Sequence, residues 1–156
     1  MRIQRFENFL NEDDKYYAEL YSPYDENGDT KGSVFRFMQT TAAKGNKTTE
    51  HAPVEKEPKP VKANCYYNAL AYSQAHPEVR PAVGFIIKKD RVIDHAFCVD
   101  KQGKIVDSTL SPAAIKGYTY YWELLPDKVI TKFDSGDQEE SATAVVDYLK
   151  RCFSFL

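Results

Sequence analysis

Basic charge, cysteine and long apolar runs are all in short supply in this 156-residue sequence, and each shortage excludes a class of protein. Lys and Arg number 21 against 23 Asp and Glu, a formal net charge of -2 without a concentrated basic face, which argues against a nucleic-acid partner. No apolar run approaches the roughly 20 residues of a membrane span, so no membrane partner is expected. The opening Met1–Glu12, MRIQRFENFLNE, has a charge or amide in every turn and does not read as a secretory leader. The three cysteines, at 65, 98 and 152, are too scattered for a disulfide framework, and no CxxC pair points to a metal. The expected compartment is a reducing cytoplasm, with no cofactor.

What is present is enough for one domain. Hydrophobic residues make up 42 % and aromatics 13 %, with 11 Tyr, so a packed core is accessible at this length. Ile3, Phe6, Phe9 and Leu10 share one face of a short amphipathic helix over Arg2–Leu10. Ser22–Ser33, SPYDENGDTKGS, is dense in turn formers, and Ser33–Met38 fits a short strand or a helix start equally well. Residues 1–39 are therefore read as a helix and loop region packing on the core. Residues 40–62 hold only Val54 and Val61 as large apolar side chains, with three Pro among charges. Such a stretch buries too little to offset its ordering entropy and reads as a flexible linker, dispensable for folding.

The interpretable core is expected over residues 63–156. Asn64 is a suitable N-cap for a helix over Cys65–His76, stopped by Pro77. Strands follow at Ala82–Ile87, Val92–Val99 and Lys104–Thr109, joined by the turns KKDR and DKQG, with a fourth inside Thr119–Leu125. Asp137–Phe153 has Val145, Val146, Leu149 and Cys152 in phase for a closing amphipathic helix, with Ser135 and Gln138 as a capping box. The expected class is α+β: an antiparallel sheet of three to four strands packed against the helix that opens at Cys65.

That helix start is where a thiol is most easily activated. Unpaired backbone N–H groups and the helix dipole favour a thiolate and can hold an oxyanion. The position suits a small buried apolar residue just as well. A base must come from three histidines. His51 lies in the linker segment and His76 precedes Pro77, which leaves His95, flanked by Ile93, Ala96 and Phe97 in a strand. Gly103 suits a three-residue hairpin loop that pairs Asp100 with Lys104, Phe97 with Asp107 and His95 with Thr109. His95 and Asp107 then share one face as diagonal neighbours, whereas a two-residue turn would part them. The same parity turns Cys98 away from His95, as a structural residue, and Cys152 falls on an apolar helix face.

The order Cys65-Tyr66-Tyr67-Asn68-Ala69, Arg80-Pro81-Ala82-Val83-Gly84, His95-Ala96-Phe97, then Gly103 to Thr109 (GKIVDST) resembles the transglutaminase-like (papain-like) core over Asn64–Leu110. The resemblance implies Cys65 as nucleophile, His95 as general base and acid, and Asp107 as the group that orients His95. It implies cysteine-dependent acyl transfer on an amide of a protein or peptide substrate: peptide or isopeptide hydrolysis, deamidation or cross-linking. One oxyanion donor would be the Cys65 N–H. A second would be the Asn64 side chain, unless that side chain caps the helix; Tyr66 and Tyr67 line a groove or pack in the core. Trp122, Tyr118, Tyr120 and Tyr121 read as core and groove wall, not a base-stacking platform. MRIQRFENFLNE is also similar to N-terminal segments of tailed-phage proteins, including those cut after a Leu/Ile-x-Glu pattern such as Leu10-Asn11-Glu12. That likeness implies a host cytoplasm or a virion. The alternative function is a non-catalytic binding or host-interaction protein on the same scaffold.

Overall fold

The computed structural model describes residues 23, 25–62, 64–89, 91–131 and 133. The helices expected over Arg2–Leu10 and Asp137–Phe153, and Cys152, lie outside them. The described elements run α1 (Gly32–Ala43), β1 (Lys47–Thr48), α2 (Cys65–Ala75), β2 (Val79–Lys88), β3 (Arg91–Asp100), β4 (Ile105–Val106), β5 (Thr119–Leu124) and α3 (Asp127–Thr131). The class is α+β, a curled five-stranded antiparallel half-barrel with three helices among the described residues. Strand order is β1-β5-β2-β3-β4.

Long β2 and β3 form the centre, in register from Val79↔Asp100 to Lys88↔Arg91. Both are apolar and branched, and nearly all of their residues are buried, as strands covered on both faces must be. Tyr120 and Trp122 of β5 join the main core with α2, while Tyr121 joins a second cluster under α1 with Phe85, Ile87 and Val92. In α1, Val34, Phe37 and Thr41 recur at helical spacing and are buried, which settles the ambiguity at Ser33–Met38 in favour of helix. Phe37 meets Phe85 edge to face at 5.3 Å.

One strand is shorter than expected. The strand read over Lys104–Thr109 is only Ile105–Val106, because the Asp107 side chain accepts the Thr109 and Leu110 N–H groups and turns the chain out of the ladder. The three consecutive strands β2, β3 and β4 pair in order, and β5, the strand inside Thr119–Leu125, adds to the other side of β2.

The larger difference concerns residues 40–62. Read as a linker, they run a specific course in the structure. Residues 40–43 belong to α1, and Lys47–Thr48 pairs with Tyr121 and Tyr120 as a fifth strand. Ile105 N–H donates to Glu50 O at 2.9 Å and Ala52 N–H to Ile105 O at 2.8 Å, so the same stretch also reaches the opposite sheet edge. Glu55 N–H donates to the Tyr72 hydroxyl at 3.0 Å. Asn68 clasps Val61 from both sides, taking its N–H and donating to its C=O, each at 2.8 Å. Composition counts apolar side chains, and this strap is held by main-chain hydrogen bonds to which composition is nearly blind.

Gly84 sits between β3 and β5, opposite His95 and Trp122. A Cβ there would stand 1.8 Å from Tyr121 O and 2.9 Å from Trp122 Cα. At Gly103, by contrast, a Cβ meets nothing within 4 Å but φ is +78°. Gly84→Ala is therefore expected to lower stability by about 3 kcal/mol or more, through displaced backbone. Gly103→Ala should cost only about 1–2 kcal/mol, through left-handed strain. Urea midpoints for the two variants test the ranking, and equal midpoints would refute the close approach at Gly84. Asn68→Ala should release the strap, so that limited tryptic proteolysis after Lys56 or Lys62 accelerates; an unchanged cleavage rate would show that the clasp does not hold it.

Candidate functional site

The β3–β4 hairpin sets the site. Its loop is Lys101-Gln102-Gly103, closed by Gly103 N–H to Asp100 O at 3.1 Å and Asp100 N–H to Lys104 O at 2.9 Å. Asp100 Oδ1 also takes the Gln102 and Lys104 N–H groups, both at 2.9 Å. The resulting register, Cys98↔Val106 and Val99↔Ile105, is the odd-loop register expected from Gly103. It brings His95 and Asp107 to one face, and their side chains meet: His95 Nε2 lies 2.6 Å from Asp107 Oδ2, with both groups buried.

Asp107 is held by four donors. Oδ2 takes His95 Nε2 and the Tyr120 hydroxyl, the latter at 2.8 Å; Oδ1 takes the Thr109 and Leu110 N–H groups, each at 3.0 Å. Burial, the largest single influence, pushes the Asp107 pKa up. The charge of His95, its hydrogen bond, the Leu110 amide and Tyr120 together outweigh burial and hold the carboxyl below its ordinary value. An ionised carboxylate only accepts, so Nε2 carries the proton and Nδ1 is the ring atom on which chemistry would occur. Phe97 and Tyr120, both buried, lie against the imidazole at centroid distances of 5.7 and 6.5 Å.

Cys65 is the first residue of α2, fully buried. The helix is tied to β3 through Asp94 and Cys98, which alternate to the opposite face of that strand from His95. Tyr66, next to Cys65, donates its hydroxyl to Asp94, next to His95, at 3.3 Å. One turn on, Asn68 Nδ2 donates to Thr109 Oγ1 at 2.9 Å. The Asn64 side chain accepts from Tyr67 N–H at 3.3 Å, the helix-capping alternative for that residue. The Tyr66 hydroxyl is likewise engaged with a buried carboxylate and does not line an open groove. Cys98 donates to Ala69 O at 3.2 Å, and burial first, then the Asp107 charge, push its thiol far up; it is a structural residue, as its parity implies.

The remaining histidines have other settings. His76 Nε2 lies 2.6 Å from Glu57 O and its ring stacks on Tyr72 at 4.2 Å. His51 stands edge-on to Tyr120 at 5.1 Å; burial lowers its pKa while Asp107 opposes that. Tyr118, Tyr120, Tyr121 and Trp122 are all buried, which makes them core. Sequence reasoning missed the role of Tyr120, and only the pairing of β5 with β2 would have revealed it.

Among the described residues no group of three or more His, Cys, Asp or Glu is arranged to hold a metal ion. No helix among them is long and apolar enough to cross a membrane. Compared with protein-family models, curated protein sequences and solved structures, the chain matches none.

Because folding lowers the Asp107 pKa, that carboxylate contributes stability that is fully present above the ordinary aspartate range and is lost as pH falls through its folded value. Tyr120→Phe removes one donor and makes the pKa less depressed. The variant should lose about 1.5–3 kcal/mol at neutral pH and unfold in acid at a higher pH than wild type. Circular-dichroism acid titrations read this directly; superimposable curves would show that the Tyr120 bond contributes nothing.

Proposed function

We propose that the chain is a cysteine-dependent acyl transferase acting on an amide of a protein or peptide, with Cys65 as nucleophile, His95 as base and acid, and Asp107 as orienter. The observation that carries this reading is the buried 2.6 Å His95–Asp107 pair on strands packed against a helix that begins with Cys65. The likeness of these segments to the transglutaminase-like core supports the same assignment.

In this mechanism His95 Nδ1 takes the thiol proton, and the Asp107 carboxylate offsets the charge the ring gains. The thiolate adds to the amide carbonyl, and backbone N–H groups at the start of α2 receive the oxyanion. His95 then returns the proton to the departing nitrogen as the C–N bond breaks, leaving a thioester on Cys65. Water resolves the thioester in hydrolysis or deamidation, and a second amine resolves it in cross-linking; His95 accepts the proton of whichever attacks. No cofactor enters these steps.

One observation favours a second reading, a non-catalytic binding or host-interaction protein on the same scaffold. Cys65 is 0 % exposed and His95 1 %, so a substrate must open a path before it reaches either.

Alkylation by iodoacetamide at pH 7 separates the two. If Cys65 is activated, peptide mapping should show it reacting at least about tenfold faster than Cys98, and His95→Ala should remove that advantage. Cys65 and Cys98 modified equally slowly in wild type would favour the binding protein and end the acyl-transfer reading. For any amide substrate found, Cys65→Ala and His95→Ala should abolish turnover, and Asp107→Asn should reduce it less severely.

A further inference from the structure

A cavity of about 530 Å3 opens between the chain that follows β1 and the loop from Leu110 to Gly117. Its volume falls within the range of small-ligand sites, roughly 300–1,000 Å3. The buried lining residues, Asp107 and Ile115, form its inner end. Leu110, Pro112 and Val54 add apolar wall, and Val54 is 43 % exposed, one of few large apolar side chains left to solvent. His51 and Lys116 supply nitrogen groups on the exposed side.

The cavity carries cationic side-chain nitrogen at its exposed side, through Lys116, and the Asp107 carboxylate at its inner end. Two donors already occupy each Asp107 oxygen, which fills the lone pairs of the carboxylate and leaves it no capacity to receive a ligand N–H. Lys116 forms no ion pair among the described residues, so its ammonium remains to attract an anion. An apolar chamber whose opening holds Lys116, without an ion pair among the described residues, complements a ligand with an apolar body and one carboxylate kept at that opening.

We propose that this cavity binds the C-terminal residue of a peptide, with an apolar side chain against Ile115, Leu110 and Val54 and the α-carboxylate beside Lys116 and His51. Taken with the acyl-transfer reading, on which this part rests, the substrate class becomes peptides with a free, apolar C-terminus presented beside the His95–Asp107 pair. Binding itself does not require Cys65.

The test is a 1H–15N NMR titration of the full chain with N-acetyl-leucine, N-acetyl-leucinamide and acetate. N-acetyl-leucine should shift the Leu110, Ile115 and Gly117 amides saturably. The uncharged amide should bind about tenfold more weakly, for want of a charge-assisted contact, and acetate should not saturate in the same range. Lys116→Gln should bring N-acetyl-leucine down to the level of its amide, and Val54→Asp, at an exposed wall position, should weaken both. No saturable shift, equal binding of acid and amide, or acetate binding as well as N-acetyl-leucine would each overturn the proposal. Shifts of the same resonances on raising protein concentration alone would assign the cavity to a second copy and overturn it too. Repeating the titration in Cys65→Ala separates the two claims, since binding should be unchanged there. Binding in a protein whose Cys65 proves unactivated keeps the cavity assignment and removes the acyl-transfer reading; an activated Cys65 without binding does the reverse.

Discussion

A carboxylate withdrawn from water must be met by donors on both oxygens, and at Asp107 those donors come from parts of the fold that a flat sheet would keep apart. His95 comes from β3, Thr109 and Leu110 from the chain just beyond β4, and Tyr120 from β5. In the strand order, β2 and β3 lie between β5 and β4. Three strand spacings in a flat sheet amount to about 14 Å, beyond the reach of a tyrosine side chain. The 2.8 Å bond from Tyr120 therefore exists only because the sheet curls. An unpaired charge of this kind would cost several kcal/mol, so curl and carboxylate are mutually dependent. Gly84 lies on the strand across which that curl is taken up, where β5 comes too close for any side chain.

Much of this geometry was legible from local rules. The hairpin parity around Gly103 depends on one residue that adopts a left-handed φ without strain, and with it the alignment of His95 and Asp107 could be derived before any contact was seen. The start of α2 followed from Asn64 as a cap, and its end from Pro77. Tyr120 and Asn68 were not legible in the same way, because their partners lie 13 and 41 residues away across pairings that no periodicity encodes. The course of the 40–62 segment was not legible for a different reason. Its side chains have little to bury, yet its peptide groups satisfy one edge of β5, the backbone of Ile105 and the amide of Asn68. Burial-based reading cannot see stabilisation that resides in main-chain donors and acceptors.

The strap and the hairpin meet at Asn68. Its amide binds the N–H and the C=O of Val61 and reaches Thr109 with the same Nδ2, so one buried side chain joins the strap, α2 and the turn that follows Asp107. Such a network raises the cost of moving any one of its members alone, because breaking one contact leaves buried polar groups unsatisfied. Tyr72 adds a second tie to the strap further along the same helix. The chain that leads into Cys65 is thus fastened to the element that presents Cys65, and the path of residues 49–62 is a structural property of the candidate site.

Burial of the thiol and the imidazole acts in two directions. A low-dielectric setting strengthens the interaction between the imidazole and Asp107, and it would equally strengthen any stabilisation of an oxyanion by the first turn of α2. The same setting raises the free energy of a lone thiolate, as the raised pKa of Cys98 illustrates nearby. What would set Cys65 apart is its position at the positive end of the α2 dipole, whereas Cys98 lies mid-strand and donates to the Ala69 carbonyl, a contact that favours the protonated thiol. Two cysteines in one core, buried alike but differing in the dipoles they face, should therefore differ in chemistry. That difference, rather than exposure in the resting fold, is what the acyl-transfer reading requires of Cys65 beside the His95–Asp107 pair.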